Sequence, residues 1–108
     1  MVQLIGELDM NTTQAFEDEL KRVESTDARE IIVDLRGLTS IGADGLKVFI
    51  HASARSRRGG NRLVLVHGPD DVQRIFETTG LLSRLPFADD GEVASRLHGH
   101  LSSADVAA

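Results

Sequence analysis

Thr39-Ser40-Ile41-Gly42-Ala43-Asp44-Gly45-Leu46 is the stretch that decides the fold of this 108-residue chain. It follows the apolar run at 31–35 and leads into residues 46–50, whose apolar side chains have helical spacing. A buried strand is therefore predicted to pass through a tight turn into a helix. The first N–H groups of a helix lack intrahelical partners and lie at the positive end of its dipole. Such a turn suits an anion, a phosphorylated side chain or a partner's acidic group, and here Asp44 supplies an anion from the chain itself.

Strand and helix patterns alternate on both sides of this turn. Further strands are predicted at 2–5 and 62–67, and a short edge strand, where proline is tolerated, at 85–87. Helices are predicted from Asn11 as N-cap, with Gln14 at the capping-box position, from about Asp44 to about Arg57, from 70 to 79, and after Asp90 as N-cap. This alternation predicts an α/β domain with a partly parallel sheet.

Apolar residues at helical spacing predict which face of each helix is buried. The expected inward residues are Phe16, Leu20 and Val23 in the first helix, Leu46, Phe49, Ile50 and Ser53 in the second, Val72, Ile75, Phe76 and Thr79 in the third, and Val93, Leu97 and Leu101 in the fourth. Gly59-Gly60 and Gly80 are expected to end the second and third helices. Residues 102–108 are small and polar, so a flexible C-terminal tail is predicted there.

Composition excludes several classes of protein. The net charge of −5 and the pI near 5.2 argue against nucleic-acid binding and against a polybasic membrane contact. The chain has no cysteine, so disulfides and thiolate metal sites are excluded. No apolar run approaches the ~18 residues of a membrane span, and no signal peptide is visible. We therefore expect a cytoplasmic protein with no metal or other cofactor.

Five short motifs occur in an order that resembles one family. They are Gly6-Glu7-Leu8-Asp9, Val33-Asp34-Leu35, Gly45-Leu46, the run Gly60-Asn61-Arg62-Leu63-Val64-Leu65-Val66, and the run Ile75-Phe76-Glu77-Thr78-Thr79-Gly80-Leu81. Over residues 2–101 this series resembles the STAS family, the bacterial anti-sigma factor antagonists. The resemblance implies a single STAS-type domain at 1–101, with a mixed four- to five-stranded sheet and about four helices. It also implies a non-catalytic module that binds an anti-sigma factor of the serine-kinase type and regulates sigma-factor-dependent transcription by partner switching.

The resemblance also implies a partner-binding turn. Family members carry a phosphoacceptor serine in a turn of the type Asp-Ser-Ser-Gly-Leu or Asp-Ser-Ala-Gly-Leu. With Gly45-Leu46 aligned, the family's aspartate falls on Gly42 and its phosphoacceptor on Asp44. Thr39 and Ser40 are nearby hydroxyls that could substitute as acceptors. The implied partner-binding residues are Asp9, Gly42, Ala43, Asp44, Gly45, Leu46 and Lys47.

Two further expectations concern the N-terminal strand. Family members usually have another strand before the one at 2–5, so the first family strand is expected to be missing or shortened here. Strand 2–5 would then lie at a sheet edge, where unpaired N–H and C=O groups invite a second strand. We therefore expect a possible homodimer through this edge.

Structural roles compete with functional ones for the acidic residues. Asp44 is a competent helix N-cap, and Asp9 suits a turn or cap before the first helix. Asp34 lies between apolar neighbours and, if buried, needs a partner, for which Ser40, Thr39 or loop N–H groups are candidates. Acid–base catalysis lacks support, because no nucleophile motif, glycine-rich phosphate loop or metal-ligand set accompanies these carboxylates.

Other features leave alternatives open. Arg55, Arg57, Arg58 and Arg62 form a basic cluster, and a solvated helix end explains it better than a contact with an acidic partner. His98 and His100 lack the additional ligands of a metal site. Two alternative functions remain. One is a STAS regulatory or scaffold module of a longer signalling protein, and the other is a small-ligand or nucleotide-binding STAS domain, which Asp44 opposes by its charge.

Overall fold

The computed structural model describes residues 2–88 and 104–107 of the chain. Along these residues the elements are β1 (Val2–Leu8), α1 (Thr13–Glu24), β2 (Glu30–Ile41), α2 (Ala43–Gly59), β3 (Arg62–Val66), α3 (Asp70–Thr78) and β4 (Ala104–Ala107). The strand order is β3-β2-β1-β4. The predicted α/β class is confirmed, but a mixed sheet is not, because every described pairing between these strands is parallel. The helix predicted after Asp90 lies outside the described residues.

The N-terminal strand is not at the edge of the sheet. β1 pairs with β2 on one side, and its residues 2–5 pair with β4 on the other. The expectation of an uncovered edge at 2–5 is therefore wrong, and with it the reason for expecting a homodimer there. The sequence predicts a flexible tail at 102–108, whereas Ala104–Ala107 forms β4. Unpaired backbone groups at a sheet edge favour a partner strand, and here the same chain supplies it.

At the other side of the sheet, the segment after α3 returns beside β3. Phe87 forms a parallel bridge with Leu65, and Ala88 donates its N–H to the Leu65 carbonyl at 3.0 Å. The predicted strand at 85–87 is therefore a single bridge beside β3. Gly60 and Gly80 have φ of 79° and 76°, the left-handed conformation that ends α2 and brings the chain out of α3 as predicted.

A chain of four aromatic rings forms the centre of the core. The ring centroids of Phe16 and Phe49 are 5.0 Å apart, those of Phe49 and Phe76 are 5.6 Å apart, and those of Phe76 and Phe87 are 5.1 Å apart. These are all four phenylalanines of the sequence. Because the rings come from α1, α2, α3 and the segment beside β3, they join every helix of the described structure into one layer against the sheet.

The side chains of β2 alternate between the two faces of the sheet. Ile31, Val33 and Leu35 join the main core with the helices, whereas Ile32 belongs to a second cluster with Val64, Val66 and Ala88. Such alternation places neighbouring residues on opposite faces. Asp34 shares the parity of Ile32, so it lies on the face opposite the helices.

The buried stripe of α2 differs from the predicted one at Ile50. The buried residues of this helix are Gly45, Val48, Phe49, Ala52, Ser53 and Ser56. Ile50 is 41% exposed, because it lies one residue, or about 100° of rotation, beyond Phe49 on the solvent side of this stripe. The prediction that Ile50 is in the core was wrong, whereas that for Phe49, which is fully buried, is confirmed.

The neighbouring residues Phe49 and Ile50 provide a matched test of this packing. Phe49→Ala should lower the free energy of unfolding by about 3–5 kcal/mol, because it removes the ring that contacts both Phe16 and Phe76. Ile50→Ala should lower it by less than about 1 kcal/mol, since much of this side chain is already in water. Urea titrations with equal m-values measure both losses. Similar losses in the two variants would contradict the orientation of α2.

Candidate functional site

The turns that follow β1 and β2 lie side by side at the carboxyl end of the sheet. Leu8 and Ile41 are paired in the β1–β2 register, and the N–H of Gly42 donates to the Leu8 carbonyl at 2.8 Å. In parallel α/β sheets, ligand and partner sites commonly form outside the carboxyl ends of the strands. The structure therefore brings Asp9, the residue after Leu8, beside the turn at Gly42.

Helix α2 begins with Gly42 as its N-cap, and not with Asp44. Gly42 has an extended backbone, with φ −96° and ψ 178°, and its carbonyl accepts the N–H of Leu46 at 3.1 Å. No side-chain hydrogen bond caps this end of the helix. Asp44 is the second helical residue, so it complements the dipole by its charge alone. The prediction of Asp44 as N-cap was wrong by two positions.

Gly45 fixes how closely this turn approaches the sheet. A Cβ atom at Gly45 would lie 2.8 Å from Leu8 Cδ2 and 3.1 Å from Ile41 Cγ1, distances at which something must move. Glycine thus lets the first turn of α2 pack directly on the ends of β1 and β2, and a larger residue would force a neighbouring side chain or the turn to shift. Gly45 is consequently buried, and Leu46 packs partly against the core. The predicted partner-binding residues that this turn leaves exposed are Gly42, Ala43, Asp44 and Lys47.

Asp9 organises the neighbouring turn between β1 and α1. Its Oδ1 accepts the N–H groups of Asn11 at 2.9 Å and Thr12 at 3.2 Å. Thr12, rather than the predicted Asn11, is the N-cap of α1, and its hydroxyl donates to the Glu7 carbonyl at 2.8 Å. Asn11 is held in the turn by Asp9, which explains why it does not cap the helix. The structural role considered for Asp9, in the turn before the first helix, is thus present.

A groove of about 300 Å³ runs between α1 and α2 beside the two turns. It is lined by Met10, Thr13, Gln14 and Glu17 from one side and by Asp44, Lys47, Val48 and His51 from the other. Asp44, Lys47, Val48 and His51 have the spacing i, i+3, i+4, i+7 and form one stripe of α2, whereas Thr13, Gln14 and Glu17 face them from α1 and Met10 from the turn before it. Met10, at the end of the groove, is 79% exposed.

Sequence reasoning identified Asp44 and Lys47 but missed Met10, Gln14 and His51 as members of this surface. Their spacing along the sequence is a weak signal, because these surfaces are mostly polar and helical periodicity is recognised from apolar residues.

Arg55, part of the predicted basic cluster, has a structural role between α1 and α2. It bonds Glu24 in two places, at 2.8 Å and 3.0 Å, and lies 3.8 Å from Glu17. The pKa of Arg55 is raised, first by its hydrogen bond to Glu24. Because both glutamates are on α1, this ion pair ties α2 to α1.

No metal-ligand cluster occurs among the described residues. His98 and His100, which the sequence argued were a poor metal site, lie outside those residues. No helix within residues 2–88 is long and apolar enough to cross a membrane.

The fold and the turn can now be compared with known proteins. The sequence profile of the STAS domain matches residues 1–94, most of the chain. The chain belongs to the STAS domain family. The anti-sigma-B factor antagonist of Staphylococcus aureus strain NCTC 8325 is 27% identical to this STAS domain over 92 residues, which cover 85% of each protein.

Two solved structures share the fold of this STAS domain. The anti-sigma factor antagonist SpoIIAA in its unphosphorylated form superposes with a TM-score of 0.71 at 19% identity, over 94% of this chain and 90% of SpoIIAA. An anti-sigma factor antagonist from Mycobacterium paratuberculosis superposes with a TM-score of 0.72 at 21% identity, over 87% of this chain and 80% of that protein.

None of the residues 42–46 of this STAS domain carries a side-chain hydroxyl. Thr39 and Ser40 are exposed, but they belong to β2, with Ser40 opposite Glu7 in the strand register. They therefore lie before the turn and outside the first turn of α2.

In this STAS domain, Asp34 is a buried carboxylate on the face of the sheet that lies opposite the described helices. Its side chain is 4% exposed, and its partner is Arg36, whose Nη2 donates to Oδ2 at 2.8 Å and whose backbone N–H donates to Oδ1 at 3.0 Å. The expected partners Ser40, Thr39 and loop N–H groups were wrong, because residues two apart on a strand share a face. Burial raises the pKa of Asp34, but the hydrogen bonds of Arg36 outweigh it, so the pKa lies below its ordinary value.

Removing Arg36 should change both stability and its dependence on pH. The folded-state pKa of Asp34 is depressed, so its contribution is present above the unfolded value, about 3.8, and is lost as the pH falls through the folded value. Arg36→Gln should lower the free energy of unfolding at pH 7 by about 1–3 kcal/mol, because a buried carboxylate loses its charged partner while solvent screens the half-exposed Arg36.

Urea titrations at pH 7 and pH 3 measure this effect. The wild type should lose more stability than Arg36→Gln between these two pH values. Arg58→Gln, an exposed arginine without an ion pair among the described residues, should behave as the wild type at both. Equal losses for Arg36→Gln and the wild type would show that Arg36 does not hold this pKa down.

Proposed function

We propose that this STAS domain is a non-catalytic anti-sigma factor antagonist. Its partner would be an anti-sigma factor of the serine-kinase type, and binding would release a sigma factor for transcription. The observation that carries the proposal is the exposed, uncapped N-terminus of α2 next to the groove between α1 and α2. The relative from Staphylococcus aureus, which bears the name of such an antagonist, supports it at modest identity.

The proposed binding surface combines the turn at 42–47 with the groove. Ala43, Asp44 and Lys47 are exposed on the first turns of α2, and Met10 adds a large exposed apolar side chain. Exposed methionine is adaptable in shape and is common at protein-binding surfaces. Asp9 supports this surface from beneath through the hydrogen bonds of its turn. The surface therefore offers an apolar contact, charges of both signs and a rigid backbone to one partner.

Asp44 would set the regulatory state of this surface. A phosphoserine carries about −1.5 to −2 charges and three acceptor oxygens, whereas aspartate carries one charge. With no hydroxyl at 42–46, this turn offers no serine to a kinase. We infer that Asp44 holds the domain in a state that partly resembles a modified one, with weakened binding and no phosphorylation switch at the turn.

Two alternative functions make different demands on the same turn. A regulatory or scaffold module of a longer signalling protein would have the same fold but would not bind an anti-sigma factor. A nucleotide or small-ligand domain would use the uncapped helix N-terminus, which favours anions, but Asp44 places a negative charge there. Catalysis gains no support from Asp34 or Asp9, because the hydrogen bonds of each serve the fold.

Neutralising Asp44 tests the proposal. The chain is titrated with each purified anti-sigma factor of its own genome, and at least one should bind. Asp44→Asn should tighten that binding by about fivefold or more, because a like charge is removed from the contact surface. Asp71→Asn is the matched control, since Asp71 is likewise exposed at the second position of a helix, α3. It should leave the affinity unchanged, while each variant loses about 0.3–1 kcal/mol of stability.

Phosphorylation provides the second measurement. With the bound kinase and ATP, the wild type should take up no phosphate, whereas Asp44→Ser should be phosphorylated in the turn. Phosphate at Thr39 or Ser40 of the wild type would contradict the loss of the switch. Weaker binding by Asp44→Asn would show that Asp44 is an attractive contact, and absence of binding to every anti-sigma factor would reject the function.

A further inference from the structure

An arginine-lined cleft lies at the opposite end of α2 from the partner-binding turn. Its volume is about 330 Å³, and it is bounded by the last turns of α2, the start of β3 and the segment after α3. A 17-residue helix separates the two ends by roughly 25 Å. The cleft is therefore distinct from the groove between α1 and α2.

Among the described residues, the charged groups that line this cleft are all positive. They are Arg57, Arg62 and Arg84. Arg62 already has an interaction within the chain. Among the described residues, neither Arg57 nor Arg84 forms an ion pair, and both are exposed. In a chain of net charge −5, two arginines from different elements, without an ion pair among the described residues, thus line one concave site.

We propose that this cleft binds a small organic molecule that carries a phosphate group. A guanidinium binds phosphate through two parallel hydrogen bonds. A phosphate monoester carries about two negative charges, so one such group can neutralise both Arg57 and Arg84, whereas a single carboxylate neutralises only one. The cleft volume is within the range of small-molecule sites.

The remaining lining residues suit the body of such a ligand. Leu63, Leu85 and Pro86 provide apolar surface, and Ser53 and Asn61 provide polar groups. The hydroxyl of Ser56 donates to the Asn61 carbonyl at 2.7 Å, which fixes the end of α2 against the start of β3. The cleft therefore has two cationic groups above an apolar wall on a fixed backbone.

The competing explanation is that these arginines only complement the helix dipole. Arg57 and Arg58 are both in the last turn of α2, where cations are favoured. The dipole acts on both residues alike, but only Arg57 lines the cleft. Arg58 is therefore a control of the same charge, on the same helix, one residue away.

Binding is tested with pyrophosphate, AMP and adenosine, each titrated into the ¹⁵N-labelled chain at constant ionic strength. Pyrophosphate and AMP should shift the amide signals of Asn61, Arg62 and Leu63, whereas adenosine, which has no phosphate, should not. Arg57→Gln and Arg84→Gln should each weaken AMP binding about tenfold or more. Arg58→Gln should weaken it less than about threefold.

The amide signals that shift show where the ligand binds, so the test does not depend on any single variant. No binding of pyrophosphate or AMP, shifts only at the turn 42–46, or an equal loss in Arg57→Gln and Arg58→Gln would each overturn the proposal. Binding of pyrophosphate without binding of AMP would overturn the proposal of an organic ligand. Asp44→Asn should bind AMP as the wild type does, so the result does not depend on the anti-sigma function.

Discussion

The contact of Phe49 with both Phe16 and Phe76 is the interaction on which the rest of this STAS domain depends. Phe49 is fully buried, and it is the one ring that touches the aromatic residues of the two other described helices. Its position fixes the rotation of α2 about its own axis. That rotation decides which residues of α2 face the groove and which face the core, so the packing of one ring determines the composition of the proposed partner surface.

Gly45 determines a second feature of the same helix, which is its distance from the sheet. A larger residue would meet the side chains of Leu8 and Ile41, so either these side chains or the first turn of α2 would have to shift. With rotation set by Phe49 and distance set by Gly45, Ala43 and Asp44 are held on a rigid support. A surface that is already ordered loses less conformational entropy on binding, which compensates for the modest size of the groove.

The sequence predicted those features that depend on local pattern. Helical periodicity predicted that Phe49 is buried, and this is confirmed. The preference of glycine for the left-handed conformation predicted that Gly80 follows the end of α3, and this is also confirmed. Ile50 was misplaced because an apolar residue next to a buried stripe cannot be told from a member of it by composition. Arg36 was missed as the partner of Asp34 because loop donors were considered and the residue two positions along the strand was not.

The features that could not be predicted depend on contacts between distant parts of the chain. β4 pairs with β1 across about a hundred residues, and no local property of the small, polar residues at 102–108 predicts that pairing. The groove between α1 and α2 requires the relative rotation of two helices, which the contact of Phe16 with Phe49 and the Arg55–Glu24 ion pair determine. Asp9 lies beside the turn at Gly42, as the family resemblance implied, since the carboxyl ends of parallel strands meet at one edge.

The charges along α2 add a last consequence of this packing. Asp44 lies at the positive end of the helix dipole, and Arg57 and Arg58 lie at the negative end, so all three stabilise the helix. The same arrangement gives the two candidate sites opposite charge preferences. Because α2 is held by Phe49, by Gly45 and by the Arg55–Glu24 ion pair, a ligand at one end could affect the other only by moving the whole helix against these contacts. Sites about 25 Å apart on such an element act independently, so a ligand in the proposed arginine cleft would leave the proposed partner surface unchanged.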